Sequence, residues 1–340
     1  MKKLLDYFWP ILGAVAVVAS LYLLYREFEH QSVGFADVWA ALKAIPTTHY
    51  ALGAAASLFA YFALAWYDRI ALEHLGVKHI SWLFISLCSF TTYALSHNIG
   101  ASVFSGAMVR YRAYSTKGLS TGQVAVLVVL CSYTFGFGNV LLGGLLLTFD
   151  PDLMQRLSGF LPDIVTHRTS ALIIGLLCLS AVAIYIIGSL MHVKPMRIGS
   201  FEILYPRPNV MVQQLFAAPM ELIGAAAIIY FALPEAGNPG YFPVLGAFIL
   251  SFSAALVSHA PGGMGVFELL FANLVPDASY PQVIAALLVW RLFYLIIPLL
   301  LGLIVVVIFE RGQLGAALRR RKLDGEAQES PRSDEKAGSA

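Results

Sequence analysis

Charged side chains are scarce in this chain of 340 residues. Lysine, arginine, aspartate and glutamate make up 12% of it, whereas hydrophobic residues make up 59%, and the mean hydropathy is +0.74. A soluble globular domain carries about 25% charged residues. The net charge of +2 is also too small to indicate a nucleic-acid-binding surface. The composition therefore predicts a protein embedded in a lipid bilayer and excludes nucleic acid as its partner.

Cysteine and the common catalytic motifs are equally sparse. The three cysteines, Cys88, Cys131 and Cys178, all fall inside apolar runs, which is typical of small packing residues rather than of disulfides or metal ligands. The sequence contains no HExxH, no CxxC, no phosphate-binding loop and no nucleophile elbow. We therefore expect neither a metal nor a cofactor.

Long apolar runs predict eight membrane-spanning helices. They cover approximately residues 8–25, 50–67, 81–97, 121–148, 168–191, 210–233, 241–258 and 282–309. The first run is too long for the apolar region of a signal peptide, and charged Arg26 and Glu27 follow it where a cleavage site would lie. We interpret it as an uncleaved first helix.

Two similar interruptions occur within the apolar sequence. ALSHNIGASVF (Ala94–Phe104) and SHAPGGMGVFE (Ser258–Glu268) each place Ser-His before a glycine-bearing break and then Val-Phe. The segments that follow, Asn98–Arg110 and Pro261–Asn273, are too short to span a bilayer and too apolar for surface loops. Both are predicted to be re-entrant half-helices. The alternative is a chance likeness in a biased composition.

The distribution of lysine and arginine favours the re-entrant arrangement. With both segments re-entrant, fifteen of these residues fall on the cytoplasmic side and four, Arg26, Lys43, Arg156 and Arg168, on the other. The first hairpin then enters from the cytoplasm and the second from outside. The prediction is an all-α polytopic membrane protein with about eight transmembrane helices and two re-entrant half-helices in an inverted-repeat arrangement.

The charge distribution also places both termini in the cytoplasm. Residues 1–311 form the predicted transmembrane domain, and the polar residues 312–340 form a predicted disordered cytoplasmic tail. Within that tail the Arg319–Lys322 cluster is suited to anionic headgroups.

The breaks point to a polar site near the middle of the membrane. Gly262 and Gly263 allow close backbone approach, and His97, His259 and Glu268 flank the two breaks. Each half-helix would aim its N-terminus at the midplane, where unpaired N–H groups attract an anion such as phosphate. The alternative is that the glycines only permit close helix packing. The histidines could relay protons, or could satisfy backbone carbonyls that the breaks leave unpaired.

Charges inside apolar helices give the remaining candidates. Glu221 and Arg291 interrupt two predicted spans, and Arg291 could pair with either Glu221 or Glu268. Such a pair could be purely structural, or it could hold an arginine that binds a lipid phosphate. At the predicted cytoplasmic edge, Asp68, Arg110 and Arg112 could contact a headgroup or could be interfacial residues.

ALSHNIGASVFSGAMVRYRAYSTKGLS, CSYTFGFGNVLLGG and SHAPGGMGVFELLF together resemble the membrane portion of the lysylphosphatidylglycerol synthase/flippase family, also called the multiple peptide resistance factor. The likeness covers about residues 5–312. It implies a lipid-translocating unit that moves an aminoacylated phospholipid between the leaflets of the bacterial inner membrane. The family positions associated with flipping correspond to Asp68, Arg110, Glu221 and Arg291.

Larger family members continue into a cytoplasmic aminoacyltransferase domain. Because this chain ends soon after its last predicted span, we expect it to lack synthase activity and not to be an enzyme. The expected partner is a phospholipid, with a homodimer or a separate lipid synthase as further possibilities. Two alternatives to transport stay open: an accessory subunit for such a synthase, and an intramembrane lipid transferase that uses His97 or His259 as a base with Glu268.

Overall fold

A computed structural model describes residues 33–99, 102–191, 196–198, 201–203, 206–258 and 260–313, together with Val18, Tyr22, Tyr25, Arg26 and Glu29. The first predicted span therefore lies largely outside the described residues, as do His259 and residues 314–340 with the Arg319–Lys322 cluster.

The described chain is almost entirely helical. Its helices are α1 (Phe35–Ala44), α2 (Thr47–His74), α3 (Trp82–Ile99), α4 (Ser102–Ser115), α5 (Thr121–Phe149), α6 (Arg168–Leu190), α7 (Pro208–Ala232), α8 (Tyr241–Val257), α9 (Val266–Leu274) and α10 (Tyr280–Gln313). A 3₁₀ segment at Pro151–Leu157 and one helical turn at Asp163–Thr166 lie between α5 and α6. The seven predicted helices that the structure describes are confirmed as helices, and so are the two short segments.

Some local elements were not predicted. They include the short helix α1, the 3₁₀ segment and the helical turn after it, a small antiparallel hairpin of β1 (Met196–Ile198) and β2 (Phe201–Ile203), and a π-helical segment at Arg291–Ile296 inside α10. The hairpin modifies the all-α prediction only locally, since it lies in the connection between α6 and α7.

Five of the described helices, α2, α5, α6, α7 and α10, are long and apolar enough to cross a bilayer. Helix α8 is apolar but has only 17 residues. Large apolar side chains such as Leu177 and Ile308 are exposed on the outside, as expected for a surface that faces lipid. The chain is a polytopic helical membrane protein.

Helices α2 and α7 form an antiparallel pair at the centre. Tyr67 near the end of α2 donates to the carbonyl of Ala218, at 2.9 Å, and the side chains of Glu73 and Gln213 are joined at 3.0 Å. In the middle of the pair, a Cβ on Gly224 would lie 3.0 Å from the backbone nitrogen of Ala60, so the two backbones approach too closely for a larger residue.

The first hairpin, α3 with α4, opens toward the end of the bundle where α2 finishes and α5 begins. His79, just before α3, places Nε2 2.9 Å from the carbonyl oxygen of Lys117, just after α4. The rings of Phe84 and Tyr114 meet at 6.0 Å in the same region. We call this the basic end, because the described residues Arg69, Lys78, Arg112, Lys117, Arg207 and Arg311 lie toward it.

The second hairpin, α8 with α9, opens toward the opposite end. Gly237, before α8, approaches the loop after α9 so closely that a Cβ would lie 2.6 Å from the carbonyl oxygen of Asp277. The two hairpins therefore open toward opposite ends of the bundle, and their tips meet inside it.

Candidate functional site

The break between α8 and α9 is built from glycines with positive φ. Gly262, Gly263 and Gly265 have φ of 58°, 66° and 82°, a region that side-chain-bearing residues rarely adopt. Glu268, the third residue of α9, accepts a hydrogen bond at Oε2 from the Gly265 backbone N–H at 2.8 Å. This cap fixes the start of the half-helix and orients the second carboxylate oxygen inward.

Arg291, the first residue of the π segment, is joined to that break. Its Nε donates to Oε1 of Glu268, and its Nη1 donates to the carbonyl oxygen of Gly262 at 2.9 Å. Its Nη2 lies in ion-pair contact with the same Oε1. Both side chains are only 14% exposed. Of the two carboxylates that could pair with Arg291, the structure selects Glu268, because the capped end of α9 faces Arg291 on α10.

The tip of the first hairpin lies against the same break. A Cβ on Gly262 would be 3.9 Å from the carbonyl oxygen of His97, near the end of α3. The His97 ring stacks on Tyr294 at 5.4 Å with an interplanar angle of 21°, and its Nδ1 is buried with no hydrogen-bond partner among the described residues. The structure thus brings His97, Gly262, Gly263, Glu268 and Arg291 together.

The π segment of α10 receives three side chains from neighbouring helices. A π-helical turn disturbs the regular hydrogen-bond ladder and is frequent at functional sites. Here Ser57 donates to the carbonyl of Phe293 at 2.8 Å, Tyr61 to that of Tyr294 at 3.0 Å, and Asn98 to that of Leu295 at 3.1 Å.

These three donors hold consecutive carbonyl groups of the segment beside Arg291. Sequence reasoning missed Ser57 and Tyr61, although their spacing of four residues places both on one face of α2.

Glu221 occupies a separate position on α7. It is fully buried, its Oε1 accepts a hydrogen bond from the Tyr294 hydroxyl, and its Oε2 has no partner among the described residues. Since Arg291 is engaged by Glu268, Glu221 has no arginine partner among the described residues. It is connected to the break through Tyr294.

Asp68 and Arg110 form a second ion pair, between α2 and α4. Arg110 donates to both carboxylate oxygens, with Nη2 to Oδ1 at 2.6 Å and Nε to Oδ2 at 3.3 Å. Tyr114 and Cys131 add donors at 2.9 and 3.3 Å, and the guanidinium lies over the ring of Tyr93 at 4.9 Å. This closed arrangement fastens the first hairpin to α2.

Cys131, which the sequence indicated only as a packing residue, is therefore also a hydrogen-bond donor to Asp68. Its apolar neighbours in the sequence gave no signal of that contact.

Arg112, two residues beyond Arg110, is remote from the break. It pairs with Glu310 on α10 at 2.6 Å, with the two side chains 57% and 40% exposed. The predicted site residues thus fall into four groups: those at the break, the Asp68–Arg110 pair, Glu221 beside Tyr294, and Arg112 at the basic end. His259 lies outside the described residues.

Two open volumes lie away from the charged pairs. A cavity of about 610 Å³ is lined by Val33, Phe35 and Ile284 among others, and one of about 370 Å³ by residues of α1, His49 and Gln282 among others. Neither is lined by Arg291 or Glu268. At the break, the side chains of Arg291 and Glu268 are each 14% exposed.

Most of the chain is similar to known proteins. A family profile described as the lysylphosphatidylglycerol synthase TM region matches residues 11–302. An uncharacterized protein of Synechocystis, slr0712, is 31% identical over 294 residues, which cover 85% of this chain and 87% of that protein. The inner membrane protein YbhN of Escherichia coli is 29% identical over 311 residues, 91% and 92% of the two chains.

The phosphatidylglycerol lysyltransferase of Staphylococcus haemolyticus is a more distant relative, with 24% identity over 317 residues. The match covers 89% of this chain but only 34% of that protein.

Proposed function

The chain belongs to the family of the lysylphosphatidylglycerol synthase transmembrane region, and from that premise we propose that it moves a phospholipid between the two leaflets of the bacterial inner membrane. The observation that carries the proposal is the Arg291–Glu268 pair, held where two oppositely directed broken hairpins meet.

Both hairpins are re-entrant elements in this proposal. Backbone that is not helical is tolerated at membrane depth only where protein or a water-filled cavity satisfies its polar groups. The Gly262 carbonyl is satisfied by Arg291, and three carbonyls of the π segment by Ser57, Tyr61 and Asn98. The basic end faces the cytoplasm under the positive-inside rule.

The arginine is the proposed phosphate ligand. A guanidinium presents a planar fork of donors that matches two phosphate oxygens, and it keeps its charge in an apolar setting. Glu268 positions that fork in the closed state, and a lipid phosphate takes over its role when the hairpins separate. The N-terminus of α9, capped by Glu268, adds backbone N–H groups on the same side.

In this proposal the two halves are inverted repeats, and the break is exposed alternately to the two leaflets. Each hairpin is anchored at one end of the bundle, so movement of one against the other opens the break on one side at a time. The Asp68–Arg110 pair keeps α4 on α2 during that movement, so these two residues position the first hairpin and do not contact the lipid. The aminoacylated headgroup of a lysyl lipid is one candidate cargo.

The test is reconstitution into liposomes that contain a fluorescent phosphatidylglycerol. Transport is followed as the loss of fluorescence when a membrane-impermeant reductant bleaches the outer leaflet. Removing one charge-assisted contact of about 1.5–3 kcal/mol predicts a loss of about 10- to 100-fold for Arg291→Ala. The matched control, Arg112→Ala, removes the same charge from an exposed pair and keeps near wild-type transport.

Arg291→Lys separates charge from geometry, since lysine keeps the charge but lacks the fork. We expect it to recover part of the rate. The proposal fails if Arg291→Ala protein, monodisperse and helical by circular dichroism, transports lipid as fast as the wild type.

An accessory role beside a separate lipid-modifying synthase is the second candidate. It is favoured by the match to a phosphatidylglycerol lysyltransferase that extends over only a third of that relative. Transport by the purified protein alone contradicts a purely accessory role, and no new lipid species should form in the same liposomes when they are analysed by mass spectrometry. A new species would instead indicate a transferase.

A further inference from the structure

Glu221 differs from the two ion-paired carboxylates described above, Asp68 and Glu268. Asp68 pairs with Arg110 and Glu268 with Arg291, whereas Glu221 is fully buried with no Lys, Arg or His nitrogen within 4.0 Å in the described part of the chain. Its hydrogen bonding consists of one bond, from the Tyr294 hydroxyl to Oε1, and Oε2 has no partner there.

That environment suits a neutral carboxylic acid. An ionised carboxylate accepts about four hydrogen bonds, and a buried charge without a counter-ion is strongly disfavoured. A protonated acid carries no charge: its carbonyl oxygen accepts the hydrogen bond from the Tyr294 hydroxyl, and its O–H is a single donor. We propose that Glu221 is a proton-binding site, and that its proton is exchanged with water during the transport cycle. The coupling to transport rests on the proposed function.

The groups around Glu221 support this assignment. Among the described residues, the titratable side chains that interact with Glu221 are Tyr61 and Tyr67 on α2 and Tyr294 on α10. A phenol is neutral at pH 7. Helices α5 and α8, which also pack on α7, contain no Lys, Arg, Asp or Glu. The only such residue on α6 is Arg168 at its start, which pairs with Asp152 at 3.1 Å.

Tyr294 connects the proton site to the break. It lies inside the π segment that begins at Arg291, and its ring stacks between Trp290 and His97, 5.4 Å from each. Loss of the proton from Glu221 creates a carboxylate that requires more donors. The Tyr61 hydroxyl, now bonded to the Tyr294 carbonyl, is drawn toward it.

The π segment then loses one of its three side-chain contacts next to Arg291. Proton release thereby weakens the element that holds the closed break, which gives the coupling a structural route.

Infrared difference spectroscopy on the full protein in liposomes tests the proton site without reference to transport. The wild type should show the carbonyl stretch of a protonated carboxylic acid at neutral pH, and this band should disappear as the pH is raised. Glu221→Gln should lack the band, and Tyr294→Phe should shift it because the hydrogen bond to Oε1 is lost. Glu268→Gln is the matched control and should keep it. Absence of the band from the wild type at neutral pH overturns the proton site.

The second arm measures lipid transport with and without an imposed pH difference. The wild-type transport rate should differ between the two conditions. For Glu221→Gln, the rate with the pH difference divided by the rate without it should be near one. Equal wild-type rates under both conditions overturn the coupling and leave the proposed function standing. Failure of the wild type to transport lipid under any gradient refutes the proposed function, and the coupling with it, while the infrared band still decides the proton site.

Discussion

Replacement of Arg110 by methionine isolates the energetic role of the buried Asp68–Arg110 pair. The side chains are 0% and 5% exposed, and Asp68 receives two of its four hydrogen bonds from the guanidinium. Methionine keeps most of the volume but removes the charge. The carboxylate is then left with Tyr114 and Cys131 as its only described donors. Uncompensated burial of one partner costs about 3–5 kcal/mol.

The measurement is the unfolding free energy in detergent micelles, obtained by titration with denaturant. We expect Arg110→Met to lower it by about 3–5 kcal/mol, and the double variant Asp68→Asn, Arg110→Met to recover most of that loss, because no charge is then left unpaired. Arg112→Met is the matched control. Its pair with Glu310 is exposed, so the expected cost is about 0–1 kcal/mol.

Equal costs for Arg110→Met and Arg112→Met would refute the reasoning, since the two pairs have the same chemistry and differ in burial. So would a double variant that is as unstable as Arg110→Met alone. Either result would mean that Asp68 is solvated, and the first hairpin would not be fastened to α2 by this contact.

Substitutions at two further positions test helix packing, one between α2 and α7 and one beside the break. Gly224→Leu should separate α2 from α7, because a Cβ there would lie 3.0 Å from the Ala60 backbone. We expect the melting temperature to fall, and to fall less for Gly224→Ala. Unchanged melting temperatures for both variants would contradict the close approach. Asn98→Leu should cost about 1–3 kcal/mol in denaturant titration, because it leaves the Leu295 carbonyl of the π segment without its donor, and a neutral effect would mean that water satisfies that carbonyl.

Sequence reasoning was sufficient for the longer helices that the structure describes and for the two places where the apolar sequence breaks. Apolar length is a local property, so the runs at 121–148 and 168–191 became α5 and α6 within a few residues. The turn at Gly262 was also predicted from the sequence, because Pro-Gly-Gly interrupts a helix within an apolar run. Lysine and arginine counts separated the two ends of the bundle, because each count depends only on which loop a residue occupies.

Tertiary structure decided which charges meet. Depth along a helix left both Glu221 and Glu268 within reach of Arg291, and only the rotation of α7 and the cap on α9 determined the choice. The π segment has no sequence signature either. Its carbonyls are satisfied by Ser57, Tyr61 and Asn98, which come from other helices. The length of an apolar run and the position of a backbone break depend on the local sequence. The partner of a buried polar group depends on how the helices pack.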